Sequence, residues 1–357
     1  MRAVHVGFIA LLLASCGSVE SAPEPTPQAP ESSQSQSTSP PSSSDPAPAQ
    51  PGQPGQPADP AQPGQPAQPG QPPAKAPLTA AECFKDLTGP VVGPNYDQFK
   101  PTIAPSCAGT HHQNITGLEK VVFLGDSITV GTPPTLPNDF YRLRLEKSLE
   151  TKFGSLEKSS CAAWGAKTND LVDNDKQLEK CFPGATQSKR TLVVMTMGGN
   201  DIHSWAKNKT TTVQAKIEAQ EAADNVRAAI GWLQTPGRFT NGVYVVFANV
   251  YEYTDTSGDL SSCPTASLAG MSGTWAEGAP AVVMLQEQLM KVAVDTKTDL
   301  MFMLEHFCGH GWNNNVASLQ CYRGPNTPRW IDATCIHPNP DGHEQIAAQF
   351  MKVIEAK

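Results

Sequence analysis

From residue 118 onward, short unbroken apolar runs alternate with longer segments in which apolar residues recur every three to four positions. The run at 121–124 is continuous and reads as a parallel strand covered on both faces, and 191–197 and 243–250 read as two further strands, the former buried. Shorter runs at 159–163 and 299–304 read as two further strands. Between them, 139–153 carries Phe140, Leu143, Leu145 and Leu149 at helical spacing. Segments 169–180, 212–233 and 279–295 also read as helices, the second ended by Pro236-Gly237. A last helix is expected over 343–354, with Ile346, Phe350 and Ile354 on one stripe. Strands that alternate with helices predict a parallel sheet with helices on both faces. The right-handed crossover rule leaves few topologies for it. Segments 252–278 and 307–331 lack either periodicity and are rich in Gly, Ser, Asn and Trp. Long loops of this kind shape binding sites.

The first eighty residues follow a different pattern. Arg2 precedes an apolar stretch of nine residues at 6–14, too short for a membrane span of ~20. Leu13-Ala14-Ser15-Cys16 then looks like a bacterial lipobox. It predicts cleavage before Cys16 and acylation of that residue, with several acyl chains giving a firm anchor. The alternative is an ordinary secretory signal ending near Ser15. By similarity to Gram-negative lipoproteins, Gly17 after the cysteine favours sorting to the outer membrane in such a source. Residues 17–79 consist of Ser, Pro, Gln, Ala and Gly with almost no large apolar side chains, and are expected to be a disordered tether. Proline falls at every third position from Pro51 to Pro72, which matches the three-residue turn of polyproline II. A collagen reading fails because Ala58, Ala61 and Ala67 stand where that helix needs Gly. The organisation expected is thus a signal at 1–16, a tether at 17–79, a disulfide-tied extension at 80–117 and one α/β domain at 118–357.

Charge and cysteine content narrow the function. A formal net charge of −8 argues against nucleic-acid binding, which wants a basic face. Of nine cysteines, eight remain once Cys16 is assigned to the lipid. An even number in an exported domain allows up to four disulfides, with Cys83–Cys107 and Cys161–Cys181 as plausible local pairs. No Cys-x-x-Cys pair suggests a metal. His111-His112 lies in the extension and reads as a solvated loop pair before it reads as a metal site.

The chemistry concentrates at three places. The strand at 121–124 stops at Gly125-Asp126-Ser127, which sets a serine at the carboxyl edge where ligands of α/β sheets bind. Gly198-Gly199-Asn200-Asp201 follows the strand at 191–197, and His337 sits late in Cys335-Ile336-His337-Pro338-Asn339, five residues after Asp332. These motifs in this order resemble the SGNH (GDSL-type) hydrolases, serine esterases and lipases, over roughly residues 118–357. The resemblance implies a three-layer α/β/α flavodoxin-like sheet in the order 2-1-3-4-5. It implies Ser127 as nucleophile and His337 as base. It also implies an oxyanion hole of the Ser127 N–H, the Gly165 N–H and the Asn200 amide. His343, one helical turn after His337, matches a family histidine that is usually structural. His203 is expected to be a loop or packing residue, and Asp126 and Asp201 to tie loops together.

One departure stands out. The family pattern places Asp three residues before the histidine, and Thr334 occupies that position here. Asp332 remains as the orienting acid if the intervening residues bulge, a disulfide through Cys335 being one way to hold them; a backbone carbonyl is the alternative. A base with the pKa of free imidazole places the acid limb of activity at roughly pH 6 to 6.5. No metal or cofactor is implied. The expected substrate is an ester of a lipid or an acylated sugar, and the expected place a lipid-anchored position in the bacterial envelope or else the extracellular space. The competing readings are a carbohydrate O-acyl esterase or acyltransferase on envelope polysaccharide, and an inactive surface binding module. The absence of an obvious apolar lid helix favours short acyl chains, the alternative being a lipid groove under the long loops.

Overall fold

The computed structural model describes residues 78–85, 93–173 and 176–357. The signal segment, Cys16 and the tether up to residue 77 lie outside the described residues. Five parallel strands, β1 (Lys120–Gly125), β2 (Glu157–Ser160), β3 (Thr191–Thr196), β4 (Val243–Ala248) and β5 (Asp299–Met301), form one sheet in the order β2-β1-β3-β4-β5. This is the three-layer α/β/α order 2-1-3-4-5 that the motifs implied. β1 and β3 pair in register from Lys120 with Thr191 to Gly125 with Thr196. All six residues of β3 are buried, as are Val121 to Leu124, so the central strands are the core.

The helices are α1 (Ala80–Cys83), α2 (Ser127–Val130), α3 (Tyr141–Phe153), α4 (Gln177–Cys181), α5 (Gly199–Lys207), α6 (Thr212–Leu233), α7 (Ala279–Thr296), α8 (Met303–Phe307) and α9 (Pro340–Ile354). α3 packs on α9, and α6 on α7. The alanines of α6, buried at 215, 219, 222, 223 and 229, let α7 approach closely.

Three expected elements differ from what forms, each for a local reason. The helix expected over 169–180 begins as a 3-10 turn, Thr168–Leu171, and resumes as α4. Lys176 takes a left-handed conformation (φ 49°) immediately before Gln177, whose side chain turns inward. Gln177 Oε1 accepts from the Gly125 N–H at 2.8 Å, and its amide donates to the Gly125 carbonyl at 2.9 Å. β5 stops at Met301 because the next turn is claimed by side chains, the Leu304 N–H donating to Asn249 Oδ1 at 2.7 Å. β2 starts two residues before its expected position, at a sheet edge where Glu157 and Lys158 remain exposed, and such charges discourage pairing with a further chain. α5 was not expected at all.

The extension is less irregular than its composition suggests. Its residue Thr110 donates its N–H to the Leu300 carbonyl at 2.9 Å, continuing the sheet past β5. His112 is not a solvated loop residue. Its Nδ1 lies 2.7 Å from the Thr298 carbonyl, and its backbone N–H donates to Asp299 Oδ1 at 2.6 Å. Four disulfides form among the described residues. The pairs Cys83–Cys107 and Cys161–Cys181 are the two expected, and Cys263–Cys335 and Cys308–Cys321 tie the long loops.

Candidate active site

Ser127 stands two residues past the end of β1, at the first position of α2. The turn that puts it there needs Gly125. A Cβ on this residue (φ +138°) would come within 2.3 Å of the Thr196 carbonyl oxygen of the neighbouring strand. Asp126 caps α2, its Oδ1 accepting from the Ile128 N–H at 3.0 Å and from Thr196 Oγ1 at 3.1 Å. Burial pushes the Asp126 carboxyl up to about 7. It is a tie between β1, β3 and the helix, as expected.

His337 reaches Ser127 from the other end of the chain. Its Nε2 lies 2.9 Å from Ser127 Oγ. The histidine sits on a tight hairpin: the Asp332 N–H donates to the His337 carbonyl at 2.9 Å, and Ile331 bridges to Pro338. Cys335 takes φ +73° within that hairpin and is disulfide-bonded to Cys263. Tyr251 donates its hydroxyl to the Ile336 carbonyl at 2.7 Å and stacks on Phe307, which fixes the hairpin from below.

The Asp332 carboxylate does not touch the His337 ring. Thr334 stands between them. Its Oγ1 is 3.0 Å from His337 Nδ1 and 2.5 Å from Asp332 Oδ1, to which it donates. A hydroxyl carries one proton. With that proton on Asp332, the hydroxyl must accept from Nδ1–H, and Nε2 is left as the bare lone pair facing Ser127. The Thr334 N–H holds the same Asp332 oxygen at 2.7 Å. The tautomer that a serine nucleophile requires is therefore set through a threonine. Sequence reasoning had noticed Thr334 only as a missing aspartate; its place three residues before the histidine was the available signal.

Burial lowers the His337 pKa to about 4, the nearby His203 ring adding to the effect. Burial likewise raises the Asp332 carboxyl above its ordinary range.

Asn200 lies at the start of α5, just after Gly198, which takes φ +109°. Its amide donates to the Ala166 carbonyl at 2.9 Å, which leaves a second N–H free. That bond also brings it beside Gly165 (φ +75°), whose loop is tied to β1 by the Ala163 N–H donating to the Gly125 carbonyl at 3.0 Å. Among the described residues neither the Ser127 nor the Gly165 N–H meets an acceptor. Ser127, Asn200 and His337 line one cavity of 440 Å³.

A family model described as GDSL-like Lipase/Acylhydrolase family matches residues 123–345, which contain all of these groups. The chain belongs to this family. Members are serine hydrolases that act on ester bonds. The GDSL hydrolase also resembles solved structures at low identity. A member of the lipolytic G-D-S-L family from Veillonella parvula is 14% identical, with 66% of this chain and 97% of that chain covered and a TM-score of 0.44. An acetyl xylan esterase is 20% identical, with 66% and 99% covered and a TM-score of 0.44. An acetylxylan esterase from Geobacillus stearothermophilus, as a catalytic mutant, is 14% identical, with 69% and 98% covered and a TM-score of 0.44. No curated protein matches the chain.

The remaining candidates of the GDSL hydrolase fall outside the reacting centre. His343 is fully buried and accepts from the Tyr141 N–H at 3.2 Å, a packing role. His203 Nε2 pairs with the Ala269 carbonyl at 2.7 Å on the cavity wall. Asp201 accepts from both the N–H and the hydroxyl of Thr168, bracing the Gly165 loop. Trp205 and Trp275 are buried. Trp330 stacks on His310 at 3.4 Å, and Trp312 lies under Arg329 at 3.7 Å. Trp164 was overlooked in the sequence. It is 67% exposed beside Gly165, with its indole N–H donating to the Gly131 carbonyl at 3.3 Å. No group of acidic, histidine or cysteine residues that would hold a metal occurs among the described residues.

Proposed function

We propose that this GDSL hydrolase is a lipid-anchored, extracytoplasmic carboxylic-ester hydrolase that works through an acyl-enzyme on Ser127. The observation that carries the reading is the 2.9 Å contact between Ser127 Oγ and the lone pair of His337 Nε2. Ser127 Oγ attacks the ester carbonyl carbon and its proton passes to His337 Nε2. The carbonyl oxygen becomes an oxyanion facing the Ser127 N–H, the Gly165 N–H and the free amide proton of Asn200. Collapse expels the alkoxide, which takes the proton from His337. Water then adds to the acyl-enzyme with His337 again as base, and the carboxylic acid leaves. Asp332 acts through Thr334, which holds Nδ1–H in place and favours the imidazolium as it forms.

Ser127→Ala tests the assignment. With p-nitrophenyl esters from acetate to palmitate, the full chain should hydrolyse at least one and the variant none above background. Hydrolysis that survives in the variant would overturn it. The membrane part of the reading rests on Leu13-Ala14-Ser15-Cys16 and the proline-rich stretch that follows. Incorporation of labelled fatty acid in bacteria that is lost in Cys16→Ser tests that part, and equal labelling of both forms would refute it.

Trp164 favours a second reading of the alcohol side, a sugar ring on the exposed indole. Loss of turnover on an acylated sugar in Trp164→Ala, with p-nitrophenyl esters little affected, would support it.

A further inference from the structure

The cavity that holds Ser127, Asn200 and His337 does not end at the nucleophile. Its walls follow the carboxyl ends of the strands: Ile202 after β3, Val250 after β4, Leu304 after β5. Leu260, Met271 and Val282, from the long loop and α7, cover it. Glu252, Thr254 and Ser257 add polar atoms, but most of the wall surface is hydrocarbon, so it favours a largely apolar occupant.

The far end is built differently. Phe84 and Tyr96 of the extension close it, both packed on Phe302 at ring distances of 5.3 and 5.5 Å. Asp97 pins the extension, accepting from the N–H groups of Ala80 and Ala81 at 2.8 and 3.0 Å. Behind Tyr96 lies a polar cluster: the Asn249 amide donates to the Tyr96 hydroxyl and to Glu305 Oε2, both at 2.8 Å. Glu305 is 4% exposed and its Oε1 has no partner. An apolar chain gains along the walls and stops gaining when it meets these groups.

The length follows from the sheet. β1, β3, β4 and β5 are successive neighbours, and three steps of ~4.8 Å span roughly 14 Å from Ser127 to Glu305. An extended chain advances ~1.2 Å per bond, a third of a residue's ~3.6 Å, so about eleven or twelve bonds fit. The 440 Å³ is within the usual range for a pocket that encloses a small ligand.

We propose that this cavity is an acyl-chain site, and that the enzyme selects esters of unbranched fatty acids of about ten to twelve carbons. Phe84 and Tyr96, outside the family-matched segment, serve as the end wall that measures the chain. The proposal rests on Ser127 being the nucleophile. It replaces the short-chain preference drawn from the missing lid helix.

The test uses the full chain. kcat/KM for p-nitrophenyl esters should rise at least about 10²-fold from acetate to decanoate, a buried methylene giving up to roughly fourfold. It should fall again from dodecanoate to palmitate. Val282→Trp should lower the decanoate-to-butyrate ratio, and Phe84→Ala, which removes hydrocarbon from the end wall and leaves the polar cluster covered by Tyr96, should move the optimum to longer chains. A second measurement needs no turnover: decanoate should raise the Tm of Ser127→Ala, acetate at equal concentration should not, and adding Val282→Trp should remove the effect. Hydrolysis that peaks at acetate or butyrate, with no stabilisation by decanoate, would overturn the acyl-chain site and leave the serine mechanism standing. Stabilisation by decanoate with no ester hydrolysed would support the chain site and sink the hydrolase reading.

Discussion

Thr334 Oγ1 lies 3.0 Å from His337 Nδ1, and its proton is spent on Asp332. The Asp332 carboxylate stands at one remove from the histidine ring. A neutral hydroxyl fixes the ring as well as a carboxylate would, but it does less for the charge that appears on the ring in the transition state.

Removing the hydroxyl should therefore misorient the base. Thr334→Val is expected to lower kcat about 10²-fold with little change in KM, within the range of general-base effects. Thr334→Ser, which keeps the oxygen, should recover most of that loss. Equal kcat in all three proteins would show that Thr334 does not position His337.

Burial holds the His337 pKa at about 4, so the free base persists well below the usual imidazole range. The acid limb of kcat/KM is expected near pH 4, in place of the pH 6 to 6.5 suggested by free imidazole. Thr334→Asp would put a carboxylate beside Nδ1 and favour the charged ring. Its acid limb should move to higher pH. A wild-type limb at 6.5 would contradict the burial argument.

Asp126 gives a stability prediction. Its folded pKa of about 7 exceeds the ordinary carboxyl value, so the native state binds the proton more tightly than the unfolded chain. This contribution is fully present below the unfolded pKa and is lost as pH rises towards 7. The loss should approach ~1.4 kcal/mol per pH unit at most. Asp126→Asn keeps an N-cap without titrating, and denaturant melts from pH 4 to 8 should show the slope flatten. An unchanged slope would remove Asp126 as its source.

Cys263–Cys335 closes a large loop and anchors the hairpin that carries His337. Replacing both cysteines by alanine should cost about 2–5 kcal/mol in unfolding experiments. It should also lower kcat at temperatures where the variant remains folded. A stability loss with kcat unchanged would show that Tyr251 alone holds the hairpin.

The central strands and long helices were legible because their signal is local. β1 and β3 are built on the apolar runs Val121 to Leu124 and Leu192 to Met195, and α6 forms at the bounds expected, ending before Pro236-Gly237. The positions 127, 200 and 337 were legible for a different reason, since each sits in a short motif beside an element end. α4 and the end of β5 were misjudged because Gln177 and Asn249 act there through their side chains. Such bonds leave no trace in the periodicity of the segment they interrupt.

The sequence by itself determined the order of strands and helices, the three motifs and their resemblance to the family, since these depend on residues near one another in the chain. Only the tertiary structure decided which group stands against His337 Nδ1, which loops the disulfides join and how far the cavity beside Ser127 extends. Tyr96, Asn249 and Glu305 meet across more than 200 positions of sequence. Contacts at that separation are fixed by how the whole chain closes on its core, so no local pattern encodes them.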